Sequence, residues 1–401
     1  MLYKLAIRNL FRQKRRTFLT LAMMIVGFVI MSFSLAISEG GYDRVIASFT
    51  NEKTGHIQIH REKFLETPNL FKNLNNVDDL INKISSNKEV VAITPRIISG
   101  GLASILDSTI GVEINGVDFN LERKVSTLEK RIRLGKWFSN PGAYEIIIGK
   151  KVAEILEAKI GSKVAVIAQA GDGSTANDNF FVVGILKENP YDDFLIYTEL
   201  KTAQEFFYLP NKAHKLVILL KHYSKSQEVS NELRKLFQKD IAISPWYIVE
   251  DEFFRGMTAD KKGNKIFYFI VGLMVAIGIL NTILMSFLER KREFGILMAI
   301  GTRPSFIFSL IMAEGLLLAL IASLISLPLS FLINYYFSIN GIPLGAKLEF
   351  GGIVWDELVT TLDPIAFTIP SLILIISTLF VALYPAFMAA KVTPTEGMRA
   401  N

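Results

Sequence analysis

The sequence contains no cysteine among its 401 residues, so no disulfide can staple any part of it. It lacks the G-x-x-x-x-G-K-[ST] loop that cradles nucleotide phosphates. Gly171-Asp172-Gly173-Ser174 has neither the lysine nor a following helix and reads as a flexible tip. Neither H-E-x-x-H nor G-x-S-x-G occurs. His56-Ile57-Gln58-Ile59-His60 alternates like a strand, but with no cysteine and no third ligand nearby the two histidines are expected to be structural, with no metal. The adjacent carboxylates Asp192-Asp193 fall on a turn, where solvation is expected rather than catalysis. These absences predict a protein with no active site of its own.

Charge is missing from four long blocks. Thr17–Ile37, Ile266–Leu288 and Pro364–Ala390 carry none, and Ser305–Ile333 carries only Glu314. At 1.5 Å per residue, about 20 residues cross a roughly 30 Å hydrocarbon core, so each block is a membrane span. The first is too long for a secretory h-region, and Leu35-Ala36-Ile37 is a poor cleavage site, which predicts an uncleaved anchor. Residues 1–16 hold Lys4, Arg8, Arg12, Lys14, Arg15 and Arg16 with no acid, whereas 334–363 has only Lys347 against Glu349, Asp356, Glu357 and Asp363. The positive-inside rule then places both termini and 289–304 in the cytoplasm and 39–264 outside. The net charge of +6 is a topology signal and does not indicate nucleic-acid binding.

The expected layout is an interfacial amphipathic helix at 1–16, with Tyr3, Ile7, Leu10 and Phe11 on its apolar face, then spans at 17–38, 265–288, 305–333 and 364–388. Between the first two lies an extracytoplasmic α+β domain, 39–264, in two lobes with a stalk helix at each end, long enough to bury a core. A cytoplasmic loop covers 289–304, a short outer loop 334–363 and a tail 389–401. Inside the large domain, helices are expected at 78–86, 150–158, 198–208 and 224–238, and strands at 89–98, 144–148, 163–168, 180–186, 193–197 and 215–221. Residues 169–179 read as a polar loop, and Trp246–Asn264 as the second stalk. Asn281 and Thr282 are expected to hydrogen-bond between helices, and Glu314 to face the bundle or snorkel to the interface.

The loop Glu289–Pro304 is richer than a turn requires. Five consecutive charges are followed by an amphipathic segment, then Gly301 as a helix stop and Pro304 beyond it. Phe294, Ile296, Leu297, Met298 and Ile300 read as a surface to be covered by another protein. With no P-loop anywhere, energy has to enter from a partner, and this is the most structured inner surface.

The run Ser286-Phe287-Leu288-Glu289-Arg290-Lys291-Arg292-Glu293-Phe294-Gly295-Ile296-Leu297-Met298-Ala299-Ile300-Gly301 resembles the signature of the FtsX-like permease superfamily, E-R-x-R-E-I-G-I-L-x-A-L-G. The segment from Arg8-Asn9-Leu10 to Arg16-Thr17 is similar to its opening, and Tyr384-Pro385-Ala386 through Pro394 and Arg399 to its ending. By length and the lack of a fused ATPase, the chain most resembles the lipoprotein-releasing LolC/LolE permeases. The resemblance implies the MacB-type (type VII) architecture and a cytoplasmic ABC ATPase in two copies, binding ATP and Mg. It also implies a second permease, as homodimer or heterodimer, and a lipoprotein substrate drawn from membrane lipids towards a periplasmic carrier. Glu289, Arg290, Arg292, Glu293, Phe294, Gly295, Leu297 and Ala299 would then form the coupling helix, and stalks would carry its motion. An acyl-chain cavity would draw on Phe28, Met31, Phe33, Phe267, Phe269 and Met274, whose bulky or flexible side chains suit variable lipid. Gly171, Asp172 and Gly173 would be the partner loop, here shorter than the proline-containing hook of carrier-recruiting relatives. The alternatives are MacB-like efflux of peptides, toxins or antibiotics, and an FtsX-like regulator transmitting ATPase strokes to a periplasmic enzyme.

Overall fold

The computed structural model describes residues 2–12, 14–140, 142–189, 192–237, 240–350 and 353–393. The tail from Pro394 and the side chains of Tyr3 and Phe11 lie outside them. The chain divides into a unit of residues 1–43, 257–348 and 355–401 and a unit of 44–256 and 349–354.

The first unit is helical. Lys14–Phe49, Asp251–Glu289, Pro304–Asn340 and Ile365–Ala390 are each long and apolar enough to cross a membrane. Their shared core includes Met24, Phe28, Val275, Ile279, Ile283, Leu318, Leu374 and Ala386. Small side chains let the backbones approach: a Cβ on Gly315 would lie 3.2 Å from that of Ala382. Thr20 Oγ1 donates to Thr282 Oγ1 at 2.9 Å, linking the first and second spans, while Asn281 faces outward and makes no such link. Further along, Lys261 Nζ meets Glu39 at 2.8 Å and lies 4.8 Å from the Tyr42 ring centre, and the Tyr42 hydroxyl donates to Asp260.

Two expectations fail here. Residues 334–363 are not a loop: the third long helix runs to Asn340, stops at Gly341 (φ 64°), and a hairpin of Ile342–Phe350 and Ile353–Leu358 follows. The consecutive β-formers Ile353, Val354 and Trp355 suit a strand better than open coil. The second stalk begins at Asp251 rather than Trp246, because Glu250 (φ −107°, ψ 52°) leaves helical geometry and isolates the single turn Trp246–Val249.

The second unit is built on one mixed sheet. Its order runs Ile241–Pro245, Ile57–Arg61, Lys215–Leu220, Val90–Ile105, Ser108–Val117, Leu195–Glu199, Glu145–Ile148, Thr175–Leu186, Ile132–Gly135, with Lys163–Gln169 bridging Val90–Ile105 and Thr175–Leu186. One core gathers Ile57, Ile59, Ile84, Leu216, Ile218, Val229 and Leu233; another gathers Ile97, Ile114, Ile146, Val164, Phe180, Phe206 and Phe207. The 16-residue strand Val90–Ile105 supplies Ile93 to the first and Ile97 to the second. Helix Phe119–Val125, unforeseen, is started by Asp118, whose Oδ1 accepts from the N–H groups of Asn120 and Leu121 at 3.0 and 2.9 Å. The first long helix ends in a π-turn, Thr50–Thr54, closed by the Gly55 N–H donating to Thr50 O at 2.9 Å.

Asp192 and Asp193 are not solvated: each is only 2% exposed. Asp192 pairs with Arg131 and accepts from the Tyr197 hydroxyl at 2.9 Å, and Asp193 meets Lys151 at 3.2 Å. Burial raises the Asp192 carboxyl above its ordinary value, with Arg131 opposing. Their turn presses on Gly149, where a Cβ would sit 1.9 Å from Asp192 O and 2.6 Å from Asp193 O. Gly149→Ala is therefore expected to cost about 1–3 kcal/mol in a denaturant melt, as overpacking does. An unchanged midpoint would mean that the turn yields freely.

Candidate functional site

The loop between the second and third long helices folds as a nine-residue helix, Lys291–Ala299. It stops in a Schellman arrangement: the Gly301 N–H donates to Met298 O and the Thr302 N–H to Leu297 O, both at 3.0 Å, with Gly301 at φ 94°. Pro304 then opens the next helix, where its missing N–H costs nothing.

The inner face of this helix is clamped. Phe294 is 1% exposed, its ring stacked on Phe287 at 6.2 Å, and the Arg290 guanidinium lies 4.9 Å from its centre. Arg290 Nη1 donates to Glu314 Oε1 at 2.9 Å, and Asn9 Nδ2 donates to the same oxygen at 2.6 Å. Glu314 thus faces the bundle. Arg290 Nε also reaches Glu293 at 3.2 Å, while Arg12 meets the other Glu293 oxygen at 2.6 Å and Arg16 meets Glu289 at 3.3 Å. Burial tends to raise the Glu293 carboxyl, but Arg12 and Arg290 outweigh it and hold it below the ordinary range. The stabilisation from that pairing is present at neutral pH and is lost as pH falls through the lowered value.

The outer face is different in kind. Arg292, Ile296, Ala299 and Ile300 are exposed, as are Leu288 and Arg303. Of the eight residues expected to couple, Glu289, Arg292 and Ala299 are on the surface, and Arg290, Glu293 and Leu297 are half-buried. Phe294 and Gly295 are inside. The expectation that Phe294, Ile296, Leu297, Met298 and Ile300 form one surface for a partner is corrected: only Ile296 and Ile300 of those five are well exposed. A helix turns 100° per residue, so Phe294 and Ile296 cannot share a face. From the first helix, Leu2–Arg12, Arg12 holds the loop helix at Glu293 and Asn9 holds Glu314, and neither was foreseen as part of this site. The signal was faint: Asn9 is in line with Leu5 and Ala6, on the side of the helix away from Tyr3, Ile7 and Phe11.

The six residues expected to line a lipid cavity do not converge. Phe28 and Met31 are buried in helix packing, Phe33 sits against Phe337 at 5.4 Å, and Phe267, Phe269 and Met274 point outward. The 169–179 segment is no open loop either: Gln169 pairs with Thr175 and the ladder continues to Lys163–Phe181, leaving a five-residue tip. Asn177, Asp178 and Asn179 are polar and all three are exposed, so no apolar alternation marks them as a strand. The tip is ordered by Asp172 Oδ1, which accepts from the Ser174 N–H and hydroxyl at 2.9 and 2.6 Å, and by the Gly171 N–H donating to Phe207 O at 2.7 Å. Those Ser174 bonds hold the Asp172 carboxyl below its usual value.

Two family models match the chain: the MacB-like periplasmic core domain over residues 17–236 and the FtsX-like permease C-terminal over residues 265–394. The chain is 24% identical over 246 residues to the lipoprotein-releasing system transmembrane protein LolC of Neisseria meningitidis, covering 59% of each. It is 22% identical to the macrolide export ATP-binding/permease protein MacB of Pasteurella multocida, over 84% of this chain and 52% of that one. The match thus spans less than two thirds of either relative's length. Among solved structures, the periplasmic region of MacB from Actinobacillus actinomycetemcomitans aligns with 47% of this chain and 87% of its own, at 12% identity and a TM-score of 0.36.

Proposed function

The chain belongs to the MacB-like, FtsX-like permease family, and from that premise we propose that it is the membrane subunit of an ATP-driven transporter whose ATPase is a separate protein. The observation that carries this reading is the loop helix Lys291–Ala299, clamped inside by Arg290, Glu314 and Asn9 and bare outside at Arg292, Ile296 and Ile300. A helix fixed on one face and apolar-basic on the other suits the transfer of a rigid push. The family context makes the pusher an ABC ATPase, two copies of which would bind ATP and Mg, beneath two permeases as homodimer or heterodimer. In this reading the loop helix and both termini are cytoplasmic, and the sheet-bearing domain lies outside the inner membrane.

For the cargo we favour a lipid-anchored protein, released from the outer leaflet by a stroke through the two stalk helices. The similarity to LolC supports it. The exposed apolar side chains Phe267, Phe269 and Met274 would meet lipid or acyl chains, and the tip at Gly171, Asp172 and Gly173 would meet a periplasmic carrier. Efflux of a soluble amphiphile is the second reading, supported by the similarity to MacB over 84% of the chain.

One measurement tests the docking and a second separates the two cargoes. Ile296→Asp should reduce co-purification of the ATPase at least about tenfold, since burying a carboxylate in a docked apolar contact costs more than 1.4 kcal/mol. Membrane insertion should be unaffected. Undiminished assembly would remove the loop helix from the docking interface. Depletion of the chain should leave mature lipoproteins in the inner membrane; normal release together with increased drug sensitivity would favour efflux instead.

A further inference from the structure

Where the π-turn meets the sheet, the large domain has a small cavity of about 30 Å³, enough for a water or a monatomic ion. Arg96, Glu122, Arg131, Tyr197 and Lys215 are among its walls. Arg96 is fully engaged: Nη2 and Nε donate to the Glu122 oxygens at 2.5 and 3.1 Å, and Nη1 donates to Lys53 O at 2.5 Å. Arg131 is bound to Asp192 through Nη1, but its Nε–H is buried with no partner among the described residues. Lys215 is 9% exposed and lines the same cavity, with no hydrogen bond or ion pair among the described residues.

The charges of the buried groups do not balance. Arg96, Arg131 and Lys215 face two carboxylates, Glu122 and Asp192, leaving one positive charge over. The other acids near the amine, Glu52 and Glu113 on the wall and Glu250 beside Lys215, are exposed or half-buried, so water screens them and none forms an ion pair with Lys215 among the described residues. We propose that this cavity is a binding site for a small monovalent anion of chloride size, held by the Lys215 ammonium and the Arg131 Nε–H. Both orphan donors then gain an acceptor, and the buried charge is neutralised.

Protonation is linked to occupancy. Burial, with Arg96 and Lys53 adding to it, lowers the Lys215 ammonium to about 7, against the weaker opposing pull of Glu113 and Glu122. His60 stands opposite on the neighbouring strand, and Tyr197, bonded to Asp192, is on the cavity wall. With the folded value below the unfolded one, the unfolded chain binds the extra proton between about pH 7 and the ordinary lysine value. Without an anion, stability therefore rises with pH across that window. An anion favours the charged amine, so it binds with proton uptake, more tightly at pH 6 than at pH 9.

The test is thermal unfolding of the full chain in detergent at constant ionic strength, exchanging gluconate for chloride. A saturable rise of about 2–4 °C is expected at pH 6, with little at pH 9 and none specific to chloride in Lys215→Met. Identical midpoints in both salts at pH 6, or an equal rise in the variant, would overturn the site and leave a water in the cavity. Should Lys215→Met not fold, crystals of the wild-type chain grown in bromide decide: an anomalous peak beside Lys215 supports the site, and its absence sinks it.

Discussion

Arg96→Ala is expected to lower the unfolding free energy of the large domain by about 3–5 kcal/mol, out of the 5–15 kcal/mol that holds a typical domain. Glu122 is 2% exposed at its side chain, and both of its oxygens accept from this one guanidinium, so alanine leaves a carboxylate buried and unpaired. The Thr94 hydroxyl, at 3.2 Å, remains as a neutral donor and cannot replace a cation. The change also frees the Lys53 carbonyl at the end of the π-turn. Urea unfolding followed by tryptophan fluorescence measures the loss. Arg96→Met combined with Glu122→Leu should recover much of it, because a buried pair replaced by apolar groups of similar volume is close to neutral. A single-variant loss below about 1 kcal/mol would mean that water reaches Glu122 and that the pair is not truly desolvated.

Arg290→Ala should have the largest functional effect. That guanidinium is the common partner of Glu314 in the third long helix and Glu293 in the loop helix, and its plane covers Phe294. Each hydrogen bond to a charged group is worth about 1.5–3 kcal/mol, so losing the clamp should reduce coupling by about ten- to a hundredfold. The readout is the stimulation of ATP hydrolysis when ATPase and permease are reconstituted together, with chain level in the membrane as control. Basal hydrolysis by the ATPase alone should not change. Arg290→Lys should restore little, because an ammonium cannot bridge two carboxylates and lie flat on a ring. Full stimulation in Arg290→Ala would show that the loop helix is held well enough by Arg12 and its apolar inner face.

The four spans were legible because 20 or more residues without charge admit one physical reading, as in Ile266–Leu288. The stop at Gly301 and the restart at Pro304 were legible for the same reason: few conformations suit those residues. Pairings between distant residues were not. Nothing near Asp192 announces Arg131, and nothing near Glu314 announces Asn9, 305 positions away. Strand Ser108–Val117 was missed because Gly111 and Gly116 interrupt its alternation, and Gly116 is there to admit Ala203, whose Cβ would lie 2.3 Å from an added one. The orientation of Lys291–Ala299 was lost because it carries apolar residues on both faces, and only Phe287 and Glu314 decide which one turns in.

The π-turn Thr50–Thr54 holds one residue more than an α-turn would. An extra residue advances a helix by about 100°, so this turn sets the azimuth at which residues 44–49, the last turns of the helix, hand over to strand Ile57–Arg61. Thr50 and Thr54 both lie inward, their hydroxyls donating to Ile46 O at 2.7 Å and Phe49 O at 3.2 Å, which keeps the wide ring from relaxing. Gly55 (φ 65°) fixes the exit, since a Cβ there would lie 2.9 Å from Ile218 O. The phase between helix and strand is thus written in chain length. A one-residue deletion within the ring would rotate residues 44–49 against the strand.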